Sequence, residues 1–394
     1  MFTCGPSVYR RPHVGNYRTF LYEDILQRYL EHLGYELVRL ISLTDIEDKA
    51  IIEAEKEGIS VKELAEKNRN KFSEDSELLR MQSPTYRACM MTCSSTAVEQ
   101  AAKLIKILLQ KGCAYYYKYK GRHNVYFDPL KFEGFGKLSR LNMTKWPKKN
   151  RRFHKDTYPG TPWNMGDFIL WLGYKEGDAD YWDTEIGKGR PSWNIQDAAT
   201  ITKYLGTTIN VACGGIDNLV RHHDYTIAII ESVSGKKLAN YWLHGQHLLV
   251  DGKKMSKSKG NVYYPDDLIK RGYKGEHIRF FLIYGNYRKR LNFTFEKMKK
   301  TSQKLDTFKN MVNNLKKAKP SKSRTKAKKL VDQIVSEFEI DMNNDLDVKT
   351  AFDNLFKTVS RLDNLKTQGK LSLKDASKAL ANLRKIDNVL QIIF

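Results

Sequence analysis

Two short runs of residues carry chemistry that their spacing makes legible. The first is Pro12-His13-Val14-Gly15-Asn16. It lies where an extended opening run gives way to helical periodicity, so backbone N–H groups and the positive end of a helix dipole are available to phosphate oxygens. Gly15 lets a nucleotide approach the backbone closely. His13 can donate a hydrogen bond to phosphate oxygens whose charge changes as pyrophosphate leaves. The second run, about 240 residues later, is Asp251-Gly252-Lys253-Lys254-Met255-Ser256-Lys257-Ser258-Lys259-Gly260-Asn261. Lys254 and Lys257 sit among small residues on a loop that follows a strand-like run. Such a loop can close over a triphosphate and stabilise the charge developing on departing pyrophosphate. A turn histidine arises readily by chance, and a lysine-rich loop is most often a solvated charge run. The ordered pair, with Met-Ser interrupting the lysines and glycine on both sides, points to a polyphosphate site.

The elements that must position these runs read as a βαβ unit. Met1–Tyr9 is extended, and a helix follows from about Asn16. There Phe20, Leu21, Ile25, Tyr29, Leu30 and Leu33 recur at helical spacing, with Gly34 at the C-cap. Leu37-Val38-Arg39-Leu40-Ile41 reads as the second strand, so a parallel nucleotide-binding sheet is expected. Residues 61–109 read as helical. Residues 114–190, rich in Tyr, Trp, Gly and Lys, read as an insertion between two halves of the nucleotide fold. The sheet resumes at Ile209-Asn210-Val211, followed by a helix at about 221–234 and a strand at Leu248-Leu249-Val250. Lys316–Lys329 reads as an exposed basic linker. Helices at about 329–340, 347–365 and 373–392 carry apolar stripes such as Ala351, Leu355, Val359 and Leu362, the pattern of a small bundle.

Composition narrows the class of protein. At 394 residues the chain can bury a large core. No stretch approaches the roughly 20 apolar residues of a membrane span, and the N-terminus lacks a signal-peptide pattern. Five cysteines, scattered and odd in number, do not suggest a disulfide framework, so a reducing cytoplasm is the expected compartment. The formal net charge of +23 favours a polyanionic partner, nucleic acid being the commonest, although a basic proteome would produce the same charge.

The two nucleotide runs belong to a longer ordered series. It includes Cys4-Gly5-Pro6-Ser7-Val8-Tyr9, Thr44-Asp45-Ile46-Glu47-Asp48-Lys49, Tyr126-Phe127, Gly136-Lys137-Leu138-Ser139 and Asp167-Phe168-Ile169-Leu170-Trp171. Gly187-Lys188-Gly189-Arg190-Pro191-Ser192-Trp193-Asn194-Ile195, Cys213-Gly214-Gly215-Ile216-Asp217-Asn218-Leu219 and Arg221-His222-His223 follow, before the lysine loop. This series resembles the cysteinyl-tRNA synthetases, which are class I aminoacyl-tRNA synthetases, over essentially the whole chain.

The resemblance implies an α/β fold: a Rossmann-like parallel sheet with an inserted connective subdomain, then an all-α bundle. The expected divisions are a catalytic domain at 1–250 with its insertion at about 114–190, a lysine loop and stem-contact region at 251–295, and a bundle at 296–394. It implies activation of cysteine with ATP and Mg2+, then transfer to tRNA. His13, Asn16, Lys254 and Lys257 would be catalytic, with Gly15, Asp217 and Ser256 also at the nucleotide. Thr44 and Trp193 would line the amino-acid pocket, although Trp193 also reads as core and Asp217 as a helix cap. Asp45 and Asp48 are expected to be structural or lysine-pairing. Gly285-Asn286-Tyr287-Arg288 with Leu291-Asn292-Phe293 resembles the family's tRNA-facing stem-contact segment.

The family's zinc position is where the sequence departs. Cys4 and His222 fall on two of its four ligands, while Asp197 stands for a cysteine and Thr226 for a glutamate. Asp can ligate zinc and neutral Thr is a poor ligand. Cys213, where the family has glycine, is an alternative thiol. Zinc separates cysteine from serine because it prefers a thiolate to a neutral hydroxyl; an apolar pocket alone would manage only about 10–200-fold. The chain is expected to be a short form lacking the anticodon-contacting tail. Two other readings stay open: a mycothiol-type ligase joining cysteine to a small amine, and a degenerate paralogue that binds tRNA without charging it.

Overall fold

The computed structural model describes residues 1–93, 96–146, 148, 166–255, 260–320 and 327–394. The first half of the chain runs β1 (Phe2–Ser7), α1 (Val14–His32), β2 (Leu40–Thr44), α2 (Asp48–Glu57), α3 (Val61–Leu78), β3 (Tyr86–Ala88), α4 (Val98–Gln110), β4 (Ala114–Tyr119), β5 (Arg122–Phe127), β6 (Phe168–Gly173) and β7 (Gly189–Pro191). The second half runs α5 (Trp193–Tyr204), β8 (Ile209–Gly215), α6 (Asp224–Ser234), β9 (Ala239–Gly245), β10 (Leu248–Val250), β11 (Lys253–Lys254), α7 (Pro265–Ile269), α8 (Gly275–Ile283), β12 (Leu291–Phe293), α9 (Phe295–Leu315), α10 (Ala327–Asn343), α11 (Val348–Thr367) and α12 (Leu373–Leu390).

The chain divides into two compact units. One comprises residues 1–11, 38–72 and 83–244; the other comprises 12–37, 73–82 and 245–394. In the first unit a five-stranded sheet has the order β3-β2-β1-β8-β9. β1 pairs in parallel with β2 and with β8, and β2 pairs in parallel with β3. That is the strand order of a nucleotide-binding α/β sheet, with its reversal at β1/β8. Between β3 and β8 in sequence, β4 to β7 form a separate four-stranded sheet, β4-β5-β6-β7, whose pairs are antiparallel. The unit's core gathers Phe2, Leu40, Ile105, Leu108, Phe127, Trp171, Ile195 and Ile229, all nearly or fully buried.

β2 begins three residues later than its sequence signal. Its continuous buried run is Leu40-Ile41-Ser42-Leu43-Thr44, whereas Val38 is 49% exposed. A parallel strand covered on both faces reads as an unbroken run, not as an alternation. β3 interrupts the region read as wholly helical, and its three residues are too few to show a period. The helix read from 221 begins as α6 at Asp224, after a π-helical turn at Leu219–His223.

In the second unit α1 is central. His13, not Asn16, sets its start, Leu33 is its C-cap and is exposed, and Gly34 follows at φ +90°. Twelve of its residues are buried, including Arg18, Glu23, Asp24 and Gln27, so its polar positions are interior. The Arg279 guanidinium meets Asp24 at 2.6 Å with both side chains fully buried. β10 pairs antiparallel with β11 and in parallel with β12. α9 to α12 bury Phe308, Val312, Val331, Phe338, Phe352, Val359, Leu362 and Leu383, as the apolar stripes required. Of the stretch read as a linker, residues 321–326 lie outside the described residues, and 327–329 already belong to α10. Among the described residues no helix is long and apolar enough to cross a membrane.

The cysteine expectation needs correction. Cys89 and Cys93 are joined in a disulfide, because the chain turns back directly after β3 and brings their Cα atoms to 5.6 Å.

Candidate functional site

The nucleotide half lies in the second unit. His13 is the N-cap of α1, in extended conformation, and its Nδ1 accepts the Gly15 N–H at 3.1 Å. Asn16 Oδ1 reaches back to accept the His13 N–H at 3.0 Å. The two side chains therefore satisfy orphan donors of the first turn reciprocally. In a neutral imidazole whose Nδ1 accepts, the proton resides on Nε2, which is the donor form a phosphate oxygen needs. A Cβ on Gly15 would lie 2.9 Å from His13 Cε1 and 3.7 Å from Met255 Cε. The helix start and the lysine segment are thus adjacent.

The lysine segment begins as a hairpin. β10 turns into β11 through Asp251 (φ 49°) and Gly252 (φ 75°), two consecutive left-handed residues as a type I′ turn requires. Lys253 and Lys254 are exposed on the returning strand, while Met255 is buried. Asn292 Oδ1 accepts the Gly252 N–H at 2.7 Å, and the Phe293 carbonyl accepts from Asp251 at 3.0 Å. Ser256, Lys257 and Ser258 lie outside the described residues.

The segment expected to face tRNA also makes contacts within the protein. Tyr287 is 4% exposed, stacks on Tyr22 and donates its hydroxyl to Asp345. Arg288 pairs with Asp345, and Leu291–Phe293 is β12. These residues hold β10 and its turn. Arg18, which no sequence signal singled out, does likewise. Its guanidinium donates to the carbonyls of Gln246, Leu282, Asn286 and Lys289. Burial pushes its pKa down to about 10.

The second cluster lies in the first unit. Cys4 in β1, Asp197 in α5 and His222 in the π-helical turn before α6 offer three ligand atoms within 4.8 Å of one another, all buried. His222 Nε2 and Asp197 Oδ2 stand 2.5 Å apart. His222 Nδ1 has no hydrogen-bond partner among the described residues. The Trp193 ring stacks on the His222 ring at 4.1 Å and 15°. Trp193 is half-buried at the first turn of α5, whose N-cap is Ser192.

A thiol, a carboxylate and an imidazole are a donor set suited to zinc, and three protein ligands leave one position open. The buried nitrogen left without a hydrogen bond fits such a site, since buried polar groups are normally satisfied. Thr226, a neutral hydroxyl, is a poor zinc ligand, and its O–H donates to the His222 carbonyl at 2.9 Å. Cys213 is not part of the cluster either. It pairs in register with Thr3, one residue before Cys4, so the pleat directs it to the opposite face of the sheet.

Thr44 ends β2, 7% exposed, and its carbonyl accepts the Val8 N–H. Asp217 is exposed in a short 3-10 turn directly after β8. Both lie at carboxyl ends of parallel strands, where ligands of such sheets bind. Asp45 is structural, as expected, accepting backbone N–H groups of Met90, Met91 and Thr92. Asp48 pairs with Arg190. His223 is fully buried under Gly214 and bonded to His244 at 2.8 Å. Burial, then the neighbouring His244 and His222, holds its pKa well below the usual histidine value.

A parallel sheet reversing at β1/β8, a capped histidine at a helix start and a lysine-bearing hairpin accord with a class I aminoacyl-tRNA synthetase catalytic domain. Residues 1–303 match the family described as tRNA synthetases class I (C) catalytic domain. The fold is similar to that of Mycobacterium tuberculosis methionyl-tRNA synthetase bound by methionyl-adenylate, with a TM-score of 0.74, 14% identity, and coverage of 99% of this chain and 91% of that one. In sequence the chain is 35% identical to a cysteine–tRNA ligase of Chlamydia pneumoniae, over 100% of this chain and 82% of the relative. It is 33% identical to one from Brachyspira hyodysenteriae, over 99% of this chain and 81% of the relative. The chain belongs to the cysteine–tRNA ligase family.

Proposed function

We propose that this protein activates cysteine with ATP to an enzyme-held cysteinyl adenylate and transfers the cysteinyl group to tRNA(Cys). In the first step a cysteine carboxylate oxygen attacks the α-phosphorus, and the bond to the β-phosphate breaks to release pyrophosphate. In the second, a hydroxyl at the tRNA 3′ end attacks the adenylate carbonyl and AMP leaves. The observation that carries this reading is full-length similarity to cysteine–tRNA ligases combined with the capped His13 beside the lysine hairpin.

His13, through Nε2–H, and the N-terminal turn of α1 would hold phosphate oxygens, with Asn16 fixing the turn and Gly15 keeping it open. Lys254 and Lys257, with Ser256, would bring positive charge and hydrogen bonds to the pyrophosphate as it departs, with Mg2+ accompanying ATP. Asp217 would meet the nucleotide. Thr44 and Trp193 would line the cysteine pocket. Cys4, Asp197 and His222 would hold zinc, which when bound supplies a Lewis-acid position that prefers a thiolate to a neutral hydroxyl. Trp193, stacked over His222, would keep that position dry.

The tRNA partner is supported by the net charge of +23 and by the names of the relatives, which favour tRNA over a small amine. The test is ATP–pyrophosphate exchange stimulated by cysteine, followed by charging of tRNA(Cys). Cysteine-dependent exchange without charging would transfer the reading to a small-amine ligase. tRNA binding without exchange would make it a non-charging paralogue.

A further inference from the structure

Asp45 directly follows Thr44 at the carboxyl end of β2, and its carboxylate is buried. It is held by a short loop rather than by a cation. The N–H groups of Met90, Met91 and Thr92 donate to it at 3.0, 2.9 and 2.6 Å, and the Thr92 hydroxyl adds a fourth bond at 3.0 Å. Three successive backbone donors converging on one carboxylate form an anion nest. Such a nest exists only while the backbone of residues 90–92 keeps a tight curl. The curl lies inside the ring closed by the Cys89–Cys93 disulfide. At one end the ring is anchored by β3, whose Ala88 pairs with Ser42 of β2. Arg69 of α3 donates to the Thr92 carbonyl and holds the other side.

The covalent ring, the nest and the end of β2 therefore form one mechanical series within the first unit. Cys89 is fully buried, and Cys93 is half-buried, which makes Cys93 the sulfur that a reductant can reach. Cys4, Cys113 and Cys213 are outside any disulfide.

We propose that Asp45 is a positioning residue for the cysteine-facing end of β2, and that the Cys89–Cys93 disulfide sets how firmly Asp45 is held. The consequence for Thr44 rests on the proposed amino-acid pocket. Reduction balances as ordinary exchange with a dithiol. A reductant thiolate attacks the Cys93 sulfur, the S–S bond breaks with Cys89 leaving as thiolate, and the reductant's second thiol resolves the mixed disulfide. The protein ends with two thiols and the reductant as a disulfide. The five-residue curl then loses its closure, the three N–H groups no longer converge, and Asp45 with the adjoining Thr44 gains freedom. Disulfides in reducing compartments are typically transient or sensing, in keeping with such a role.

The experiment compares the full chain equilibrated with glutathione disulfide and with dithiothreitol. Alkylation of the denatured, oxidised protein should modify Cys4, Cys113 and Cys213 and spare Cys89 and Cys93. Hydrogen exchange at the amides of Met90, Met91 and Thr92 should quicken by about tenfold or more on reduction. Glutathione disulfide and dithiothreitol are removed before the assay, because cysteine is itself a thiol that exchanges with disulfides. The initial-rate KM for cysteine in pyrophosphate exchange should be about three- to tenfold higher for the reduced protein, the range set by a lost net hydrogen bond, with the KM for ATP unchanged. Alkylation at the end of each assay confirms the disulfide state. The Cys89→Ser/Cys93→Ser double variant should behave as the reduced protein in either buffer. Asp45→Asn should raise the KM for cysteine even with the disulfide intact.

Alkylation of all five cysteines, or equal exchange at residues 90–92 in both states, would overturn the staple. Altered amide exchange with an unchanged KM for cysteine would overturn the positioning role. Absence of cysteine-dependent exchange in both states counts against the activity itself, while the amide measurement still decides the staple.

Discussion

Replacing Gly15 by alanine separates the stability of the α1 start from its chemistry. A Cβ there would sit 2.9 Å from His13 Cε1, closer than real Cβ contacts come, and 3.0 Å from Nδ1, tighter than most. The neighbour that must yield is a side-chain ring, and rotating it away requires no backbone movement. Stability changes little: loss of the Nδ1 cap costs about 1 kcal/mol, and alanine in place of glycine in a helix returns about 1 kcal/mol. The chemistry does not recover in the same way. With Nδ1 no longer accepting from the Gly15 N–H, the ring loses a contact that orients Nε2–H. Removing one such donor to developing negative charge lowers kcat by about 10²–10³-fold. Gly15→Ala should therefore melt within about 1 °C of the parent, a shift of less than about 1 kcal/mol for a chain of this size. Its cysteine-dependent pyrophosphate exchange should fall at least about a hundredfold. Exchange within about threefold of the parent would refute the assignment of His13. A large drop in melting temperature would refute the geometry of the cap.

Other outcomes follow from the same contacts. Asn292→Ala removes the acceptor of the Gly252 N–H and should weaken exchange by about three- to tenfold, with stability altered by no more than about 1.5 kcal/mol in denaturant melts. Thr226→Val should leave zinc retention against a chelator unchanged, because the Thr226 hydroxyl serves the His222 carbonyl. Asp197→Ala should lose the metal. Asp24 is fully buried; burial alone would raise its pKa, but Arg279, Arg28 and the Gln82 N–H together hold it below the usual carboxylate value. Its contribution to stability is therefore present above the unfolded aspartate pKa of about 3.9 and is lost as pH falls through the lower folded value. Asp24→Asn should cost about 3–5 kcal/mol at neutral pH by leaving Arg279 buried without its counter-charge. Its stability should also fall less steeply than the parent's as pH drops below about 4, read from urea melts at each pH.

What could be read in advance follows from how local each interaction is. The start of α1 was legible to within a few residues because the bonds that fix it, among His13, Gly15 and Asn16, lie within four positions. The bundle was legible because its stripes repeat over several turns. Arg18 was not, because its acceptors lie 228 to 271 residues away and are backbone carbonyls, which leave no mark in side-chain type. Asn292 lies in the segment expected to face nucleic acid, and its bond to a turn 40 residues earlier leaves no local signature. β2 was displaced because Val38 is apolar yet exposed, and β3 was hidden by its length. Cys4, Asp197 and His222 were grouped by resemblance, and the pleat of β1 against β8 explains why Cys213 is not with them. The Cys89–Cys93 pairing depends on a turn that no residue type announces.

The central claim is choice of cysteine by an adenylate-forming enzyme, and an amino-acid panel in ATP–pyrophosphate exchange on metal-assayed protein tests it most directly. With zinc held by Cys4, Asp197 and His222, exchange should be driven by cysteine and exceed that with serine by well over about 200-fold, beyond what an apolar pocket supplies. Exchange with serine equal to that with cysteine, or no exchange with either at saturating ATP, would contradict it.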